Sequence, residues 1–237
     1  MFTGIIREIG VLRGLAPRGD VLRLAIAAPR TAAAARLGDS IAVDGICLTV
    51  TEARPGVFAV EAAAETRRLT TLGQWRAGRR LHLEPALRAG DGLDGHYVQG
   101  HVDGAGKVLA SRPAPGGGRL LTVALAPALA GYLTPKGSVA IDGVSLTVDE
   151  GPFDGRLTVN LIPHTLAVTN LGLLRAGDAV NLEMDVLVKA ARGAAHQGMT
   201  DQPTSHHGAP AIAPHTPLTL ERVRALGYGA ARRKVRP

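Results

Sequence analysis

The sequence predicts an all-β protein: two tandem six-stranded Greek-key closed barrels with short helices, then a C-terminal helix and a disordered tail. Three observations support this prediction. The chain contains an internal repeat, its apolar segments are short and strand-like, and clusters of glycine and proline separate them. Closure of a small Greek-key barrel removes exposed sheet edges. A pair of separate sandwiches is disfavoured, because the strands are too few and too short.

The repeat divides the chain into two halves. Residues 40–52, SIAVDGICLTVTE, align without a gap with residues 138–150, SVAIDGVSLTVDE. Residues 65–78 match residues 164–177 in the same way. Such long gapless matches are typical of a duplicated domain, and each copy has the composition of one small barrel.

Local composition predicts the individual elements. LLTVALA, LTVNLI and FAVEAA are strand-like, and short helices are expected at 30–36 and 126–133. Gly45 and Gly143 lie where hairpin turns are needed. The predicted domains are an N-terminal barrel at 1–97, a C-terminal barrel at 98–185, a short closing helix at 186–195 and a low-complexity basic tail at 196–237.

The net charge of +7 comes mainly from the tail and does not indicate nucleic-acid binding. Residues 218–237 hold six basic residues and one acidic residue, without an aromatic stacking platform. A basic terminus of this kind is typical of a solvated tail. His206, His207 and His215 have no cysteine or acidic partner at ligand spacing, so no metal site is expected.

Other classes of protein are also disfavoured. Cys47 is the only cysteine, which excludes an internal disulfide framework. No apolar run approaches the roughly 20 residues of a membrane helix, and the first ten residues do not resemble a signal peptide. These features predict a soluble cytoplasmic protein that does not act at a membrane.

Five motifs, in order, carry a family resemblance: MFTGII, GDSIAVDGICLTVT, GHYVQGHVDG, KGSVAIDGVSLTV and LIPHTL. Together they resemble riboflavin synthases of the alpha-chain type over about residues 1–192. Any one motif would be a weak signal. Five of them within a tandem duplication are specific.

The resemblance implies a transferase that catalyses the last step of riboflavin biosynthesis. Two molecules of 6,7-dimethyl-8-ribityllumazine give riboflavin and 5-amino-6-(D-ribitylamino)uracil, without a cofactor. It also implies a homotrimer with each site between subunits, two substrate molecules per site, and an association with lumazine synthase. Because donor and acceptor have different chemical roles, two similar pockets need not stay identical.

The resemblance also implies site residues. The catalytic candidates are Cys47, His101, Ser145 and Asp185. The first pocket is expected to contain Gly4, Ile5, Ile6, Cys47, Leu48, Thr49, Glu61, Ala62, Ala63, Ala64, Glu65 and Thr66. The second is expected to contain Gly100, His101, Val102, Lys136, Ser145, Leu146, Thr147, Asn160, Leu161, Ile162, Pro163, His164 and Thr165. Phe2, Thr3 and Ser40 complete the substrate-binding candidates.

Several residues have a plain structural interpretation as well. Cys47 lies in an apolar strand and could be a buried core thiol, a pocket residue or a covalent nucleophile. The second copy has serine there, which counts against covalent catalysis. His101 is either structural or functional, and His96 is read as structural. The family usually has asparagine at Asp44 and an aromatic residue at Ala190, where this chain departs from it.

Two other functions compete with the enzyme. A lumazine-protein-like module would bind a lumazine or flavin without catalysis, but a pure binder needs only one functional pocket. A barrel that binds nucleic acid is more remote, because the chain is only 3% aromatic.

Overall fold

The first half folds into a closed barrel of six antiparallel strands. A computed structural model describes residues 1–149 and 153–200, with side chains up to residue 194. The strand order is β1-β2-β5-β4-β3-β6, so β2 and β3 follow each other in the chain without being neighbours. The strands are β1 Glu8–Arg18, β2 Val21–Ala27, β3 Ser40–Val43, β4 Ile46–Arg54, β5 Val57–Ala62 and β6 Arg80–Pro85.

The second half repeats this arrangement as a barrel-like sheet. Its order, β10-β9-β12-β7-β8-β11, is the first order read from a different starting strand. β10 and β11 meet at a bridge between Val148 and Val159. The strands are β7 Gly104–Pro113, β8 Arg119–Ala124, β9 Ser138–Ile141, β10 Val144–Thr147, β11 Arg156–Leu161 and β12 Ala179–Met184. The predicted tandem fold is confirmed, with the first barrel more fully closed than the second.

Short helices connect the strands at matching positions. The helices expected at 30–36 and 126–133 are present but shorter, and each begins with proline, which is pre-organised for a first turn. The closing helix continues to residue 200, and the predicted tail beyond it lies outside the described residues, as do its three histidines. The helices are α1 Pro29–Ala34, α2 Ala64–Leu69, α3 Pro127–Ala130, α4 Pro163–Val168 and α5 Val186–Thr200. Three short 3-10 helices lie at Thr71–Gln74, Pro115–Gly117 and Leu171–Leu173.

Each barrel has its own apolar interior, and a third small cluster joins the two. This inter-barrel cluster consists of Phe2, Ala42, Val98 and Ala140. The amide of Phe2 donates to the carbonyl of Val98 at 2.7 Å, and the reverse bond measures 3.1 Å. The first residues of the chain are therefore fixed between the barrels. None of the helices in the described ranges is long and apolar enough to span a bilayer.

The two repeated phrases form hairpin turns that touch each other. Asp44 and Gly45 have φ values of 44° and 79°, and Asp142 and Gly143 have 46° and 79°. Two successive positive φ values are typical of the type I′ hairpin turn, which favours Asp-Gly. A Cβ atom on Gly45 would lie 2.7 Å from the amide nitrogen of Gly143. Glycine is therefore required by the turn, as predicted, and by the contact between barrels.

A buried histidine connects the first barrel to the second. His82 Nδ1 lies 2.9 Å from the carbonyl oxygen of Asp142, and His82 Nε2 accepts from the amide of Asn170 at 2.9 Å. Because a carbonyl only accepts and an amide only donates, the ring is neutral with its proton on Nδ1. Burial lowers the pKa of His82, against an opposing effect of Asp44, which is consistent with this neutral form.

Asn181 makes the equivalent connection in the opposite direction. Its Nδ2 donates to the carbonyl of Asp44 at 2.8 Å, and its Oδ1 accepts from the amide of Thr71 at 2.8 Å. An amide side chain and a neutral imidazole each supply one donor and one acceptor. His82 and Asn181 therefore hold the pair of barrels by the same pattern of hydrogen bonds.

Candidate functional site

The repeated phrases place Cys47 and Ser145 at equivalent positions on the outer faces of the two barrels. Cys47 pairs with Ala42 across β4 and β3, and Ser145 pairs with Ala140 across β10 and β9. Both side chains are half-buried, whereas the residue after each is buried in a barrel interior, as the alternation of a strand requires.

A row of polar residues runs beside each of these positions. In the first barrel Ser40 pairs with Thr49, and Thr49 pairs with Glu61. Paired residues on adjacent strands share a face, so the three side chains form one polar strip on the outer surface. The strip on the second barrel is Ser138, Thr147 and Asn160, with the last placed by the Val148–Val159 bridge. The strips differ at their ends, where Glu61 forms an exposed ion pair with Arg18 at 3.1 Å.

Two segments are exchanged between the barrels. The carbonyl of Gly4 accepts from the amide of Ser145 at 2.8 Å, and the carbonyl of Gly100 accepts from the amide of Cys47 at 2.9 Å. A Cβ atom on either glycine would lie 2.6 Å from the Cβ atom of the facing residue. Both glycines also have positive φ, near 77°–78°. Only glycine allows this close approach.

The exchange corrects the predicted grouping of the two pockets. Gly4 to Ile6 were expected beside Cys47, and Gly100 to Val102 beside Ser145. Instead, Ile6 packs against the core of the second barrel and Val102 packs against the core of the first. The sequence repeat identifies the two segments as equivalents, but it does not show which barrel each one contacts.

The Ser145 side contains a histidine that sequence reasoning treated as structural. His96 Nδ1 lies 2.7 Å from Ser145 Oγ, while His96 Nε2 is buried without a hydrogen-bond partner among the described residues. Burial lowers the pKa of His96, and the nearby charge of Asp185 opposes that shift. Two of the four catalytic candidates, Ser145 and Asp185, therefore lie around His96. A signal for His96 was available in the motif GHYVQGHVDG, where it precedes His101.

The other predicted residues are distributed between surface and interior. His101 is exposed and follows Gly100, on the Cys47 side. Lys136 has a φ of 60° and lies 3.8 Å from Asp149. Buried residues that offer little more than backbone to a ligand are Phe2, Thr3, Leu48, Ala62, Leu146 and Leu161. Exposed or half-buried residues are Ile5, Ala63, Ala64, Glu65, Thr66, Ile162, Pro163, His164 and Thr165.

Two buried glutamates hold the exchanged segments, and neither was among the residues predicted from the sequence. Glu84 and Glu183 are 3% exposed each. Glu84 accepts from the amides of Thr3 and Gly4, and Glu183 accepts from the amides of Gln99 and Gly100. Burial raises the pKa of both carboxyl groups, and these donors oppose the shift. The repeat carried a signal for them, since both lie 99 positions apart in the phrases LHLEP and VNLEM.

Comparison with known proteins agrees with this architecture. A family model described as the lumazine binding domain matches residues 3–86 and 99–185. Two solved structures of LumP share the fold. The structure titled as complexed with riboflavin has a TM-score of 0.71 and 23% identity, covering 78% of this chain and 99% of that one. The one titled as complexed with 6,7-dimethyl-8-(1′-D-ribityl) lumazine has a TM-score of 0.69 and 22% identity, with the same coverage. The fold and site thus define a tandem lumazine-binding protein.

Curated relatives are more similar in sequence. The riboflavin synthase of Mycobacterium tuberculosis is 42% identical over 192 residues, covering 80% of this chain and 95% of the relative. The riboflavin synthase of Brucella abortus is 41% identical over 203 residues, covering 83% and 100%. The chain belongs to the riboflavin synthase family, as its five motifs predicted.

Proposed function

We propose that the chain converts two molecules of 6,7-dimethyl-8-ribityllumazine into riboflavin and 5-amino-6-(D-ribitylamino)uracil. One lumazine donates a four-carbon unit to the other, so the enzyme is a transferase, and the reaction consumes no cofactor. The observation that carries this proposal is the pair of equivalent surface sites, built on one repeated phrase and different at Cys47 and Ser145. Two identical molecules with different roles need two similar sites.

Proton transfer belongs to the Ser145 side. The methyl group at C7 of the lumazine is acidic because its anion delocalises into the ring, and an acceptor near neutral pH assists its ionisation. His96 fits this role through Ser145, because the half-buried hydroxyl lies 2.7 Å from Nδ1 and can pass a proton from the substrate to the imidazole. Burial lowers the pKa of His96, which favours the neutral form that accepts the proton. The negative charge of Asp185 would stabilise the imidazolium that forms.

The polar strips support a site completed by a second subunit. Thr49 and Thr147 are exposed on the outer surfaces of their barrels, so a planar lumazine bound there would leave one face uncovered. A strip from another copy would bring a second lumazine face to face with the first, which turns a bimolecular encounter into a local one. The assembly is a homotrimer, with two substrate molecules in each complete site. A stable and fully active monomer in light scattering would contradict this arrangement.

Incubation of the purified chain with 6,7-dimethyl-8-ribityllumazine tests the activity. Flavin fluorescence should appear while lumazine absorbance falls, with two lumazines consumed for each riboflavin. Saturable lumazine binding without flavin formation would instead indicate a lumazine-protein-like binder. An association with lumazine synthase and a cytoplasmic location remain predictions.

A further inference from the structure

Glu84 of the first barrel holds a segment that lies against the second barrel. Its Oε1 accepts from the amide and the hydroxyl of Thr3, both at 2.7 Å, and its Oε2 accepts from the amide of Gly4 at 2.9 Å. The carbonyl of Gly4 then accepts from the amide of Ser145 at 2.8 Å. A single residue thus links this carboxylate to the backbone of Ser145. The carbonyl of Thr3 also accepts from the amide of His96 at 3.1 Å.

Glu183 of the second barrel makes the reciprocal connection. Its two carboxylate oxygens accept from the amides of Gln99 and Gly100 at 2.7 and 3.0 Å. The carbonyl of Gly100 accepts from the amide of Cys47 at 2.9 Å. Each barrel therefore uses a buried carboxylate to fix the segment that lies beside Cys47 or Ser145 of the other barrel.

Only a carboxylate meets the requirements of these positions. Two amide donors converge on each side chain, and both oxygens of an ionised carboxylate accept. In glutamine one oxygen becomes an NH₂ group, which would face an amide N–H and leave a buried donor without an acceptor. The neighbouring glycine has little room to shift toward Ser145 or Cys47, because even a Cβ atom built on it would lie 2.6 Å from the Cβ atom of that residue.

We propose that Glu84 and Glu183 are crosswise positioning residues. Glu84 sets the geometry of the Ser145 side, and Glu183 sets the geometry of the Cys47 side. The role of these sides as substrate pockets rests on the proposed function, whereas the crosswise connection rests on the hydrogen bonds of Glu84 and Glu183.

The lone thiol of the chain provides a site-specific test. In the full-length protein, the rate at which an aromatic disulfide reagent modifies Cys47 reports how firmly Gly100 covers it. Glu183→Gln should raise this rate about tenfold, because it removes a charge-assisted hydrogen bond that holds the Gly100 segment. Glu84→Gln is the matched control, since it makes the same change at equal burial in the other barrel. It should alter the rate less than about twofold.

Exchanging the thiol tests the reverse direction. In a chain carrying both Cys47→Ser and Ser145→Cys, the only thiol lies on the other side. Here Glu84→Gln should accelerate modification about tenfold, and Glu183→Gln should not. Thr3→Val, which removes one of three donors to Glu84, should have a smaller effect in the same direction.

The outcomes separate positioning from general stability and from activity. Equal acceleration of both thiols by both glutamate variants, or no acceleration by either, would overturn the proposal. If a glutamine variant does not fold, the same comparison is made with Glu84→Asp and Glu183→Asp. Aspartate keeps the carboxylate but has a side chain shorter by one methylene group. No step of the thiol assay uses substrate. If each glutamine variant accelerates modification of the expected thiol but the protein forms no flavin, the proposed function is wrong and the crosswise positioning stands.

Discussion

The Cys47 side and the Ser145 side of the molecule share a backbone and differ in chemistry. Each has an Asp-Gly hairpin, a close glycine contact and a buried glutamate that holds the exchanged segment. On one side Ser145 contacts a buried imidazole at 2.7 Å, whereas the other side presents a half-buried thiol. The two sides thus share one duplicated frame but place their imidazoles differently, since His96 is buried against Ser145 and His101 is exposed beside Gly100.

Removal of the imidazole should have the largest effect on this difference. We expect His96→Ala to lower the rate of flavin formation at least a hundredfold, about 2.7 kcal/mol in the barrier, because it removes the proposed proton acceptor. Single-turnover fluorescence measures the rate, and lumazine titration should show that binding persists. His101→Ala tests the exposed imidazole of the Cys47 side, the other histidine among the catalytic candidates, and we expect its loss to stay below about tenfold. A larger loss for His101 than for His96 would reverse the assignment.

Making the two sides alike should have a moderate effect. Cys47→Ser gives the first phrase the residue of the second, and we expect about a tenfold loss of rate, worth about 1.4 kcal/mol. Serine keeps the size of the thiol but has little nucleophilic character at neutral pH. A loss of several orders of magnitude in single-turnover measurements would show that Cys47 acts covalently. An unchanged rate would show that it does not contact the substrate.

The two inter-barrel hydrogen-bonding residues should differ in their response to acid. Folding lowers the pKa of His82, so the folded state binds fewer protons than the unfolded state, in which histidine titrates at about 6.5. Stability from this residue is present above that pH and is lost as pH falls below it. Through His82, the wild-type protein should lose up to about 1 kcal/mol of unfolding free energy between about pH 7.5 and about pH 5.5. The variant His82→Asn should not show this loss.

Asn181→His gives the reciprocal test of the same pair. It places a second neutral imidazole between the barrels and should add acid sensitivity. Thermal unfolding midpoints at the two pH values measure both effects. The buried acids Glu84 and Glu183, whose raised pKa values have the opposite sign, are common to all variants and cancel in the comparison. Asp142 contacts both substituted residues, so its contribution is measured together with theirs. If both variants keep the wild-type pH dependence, His82 does not titrate in this range.

The smallest effect is expected outside both barrels. Deletion of residues 201–237 should change the rate of flavin formation less than about twofold, because the contacts of both sides lie before α5 ends. Steady-state kinetics of the shortened chain checks this prediction. A large loss in a protein that still folds would assign the tail a role in catalysis or assembly.

The internal repeat was sufficient to predict the local features of the two barrels. Gapless matching phrases predicted paired strands, the equivalence of Cys47 with Ser145, and the glycine turns, because strand register and turn conformation are local properties. It did not predict the exchange of Gly4 and Gly100, since contact partners far apart in sequence depend on how the barrels pack. Pairing of His96 with Ser145 was missed for the same reason.

The exchanged segments also determine when during synthesis a working pocket can exist. All six strands of the first barrel have been made once Pro85 is in place, yet the wall beside Cys47 comes later, with Gly100. Gly100 in turn is held by Glu183, on the last strand of the second barrel. A ribosome-bound chain can therefore close its first barrel early, but neither binding surface is complete until β12 has emerged. The contact between Gly100 and Cys47 is therefore held in place only after nearly all of the described strands have been made.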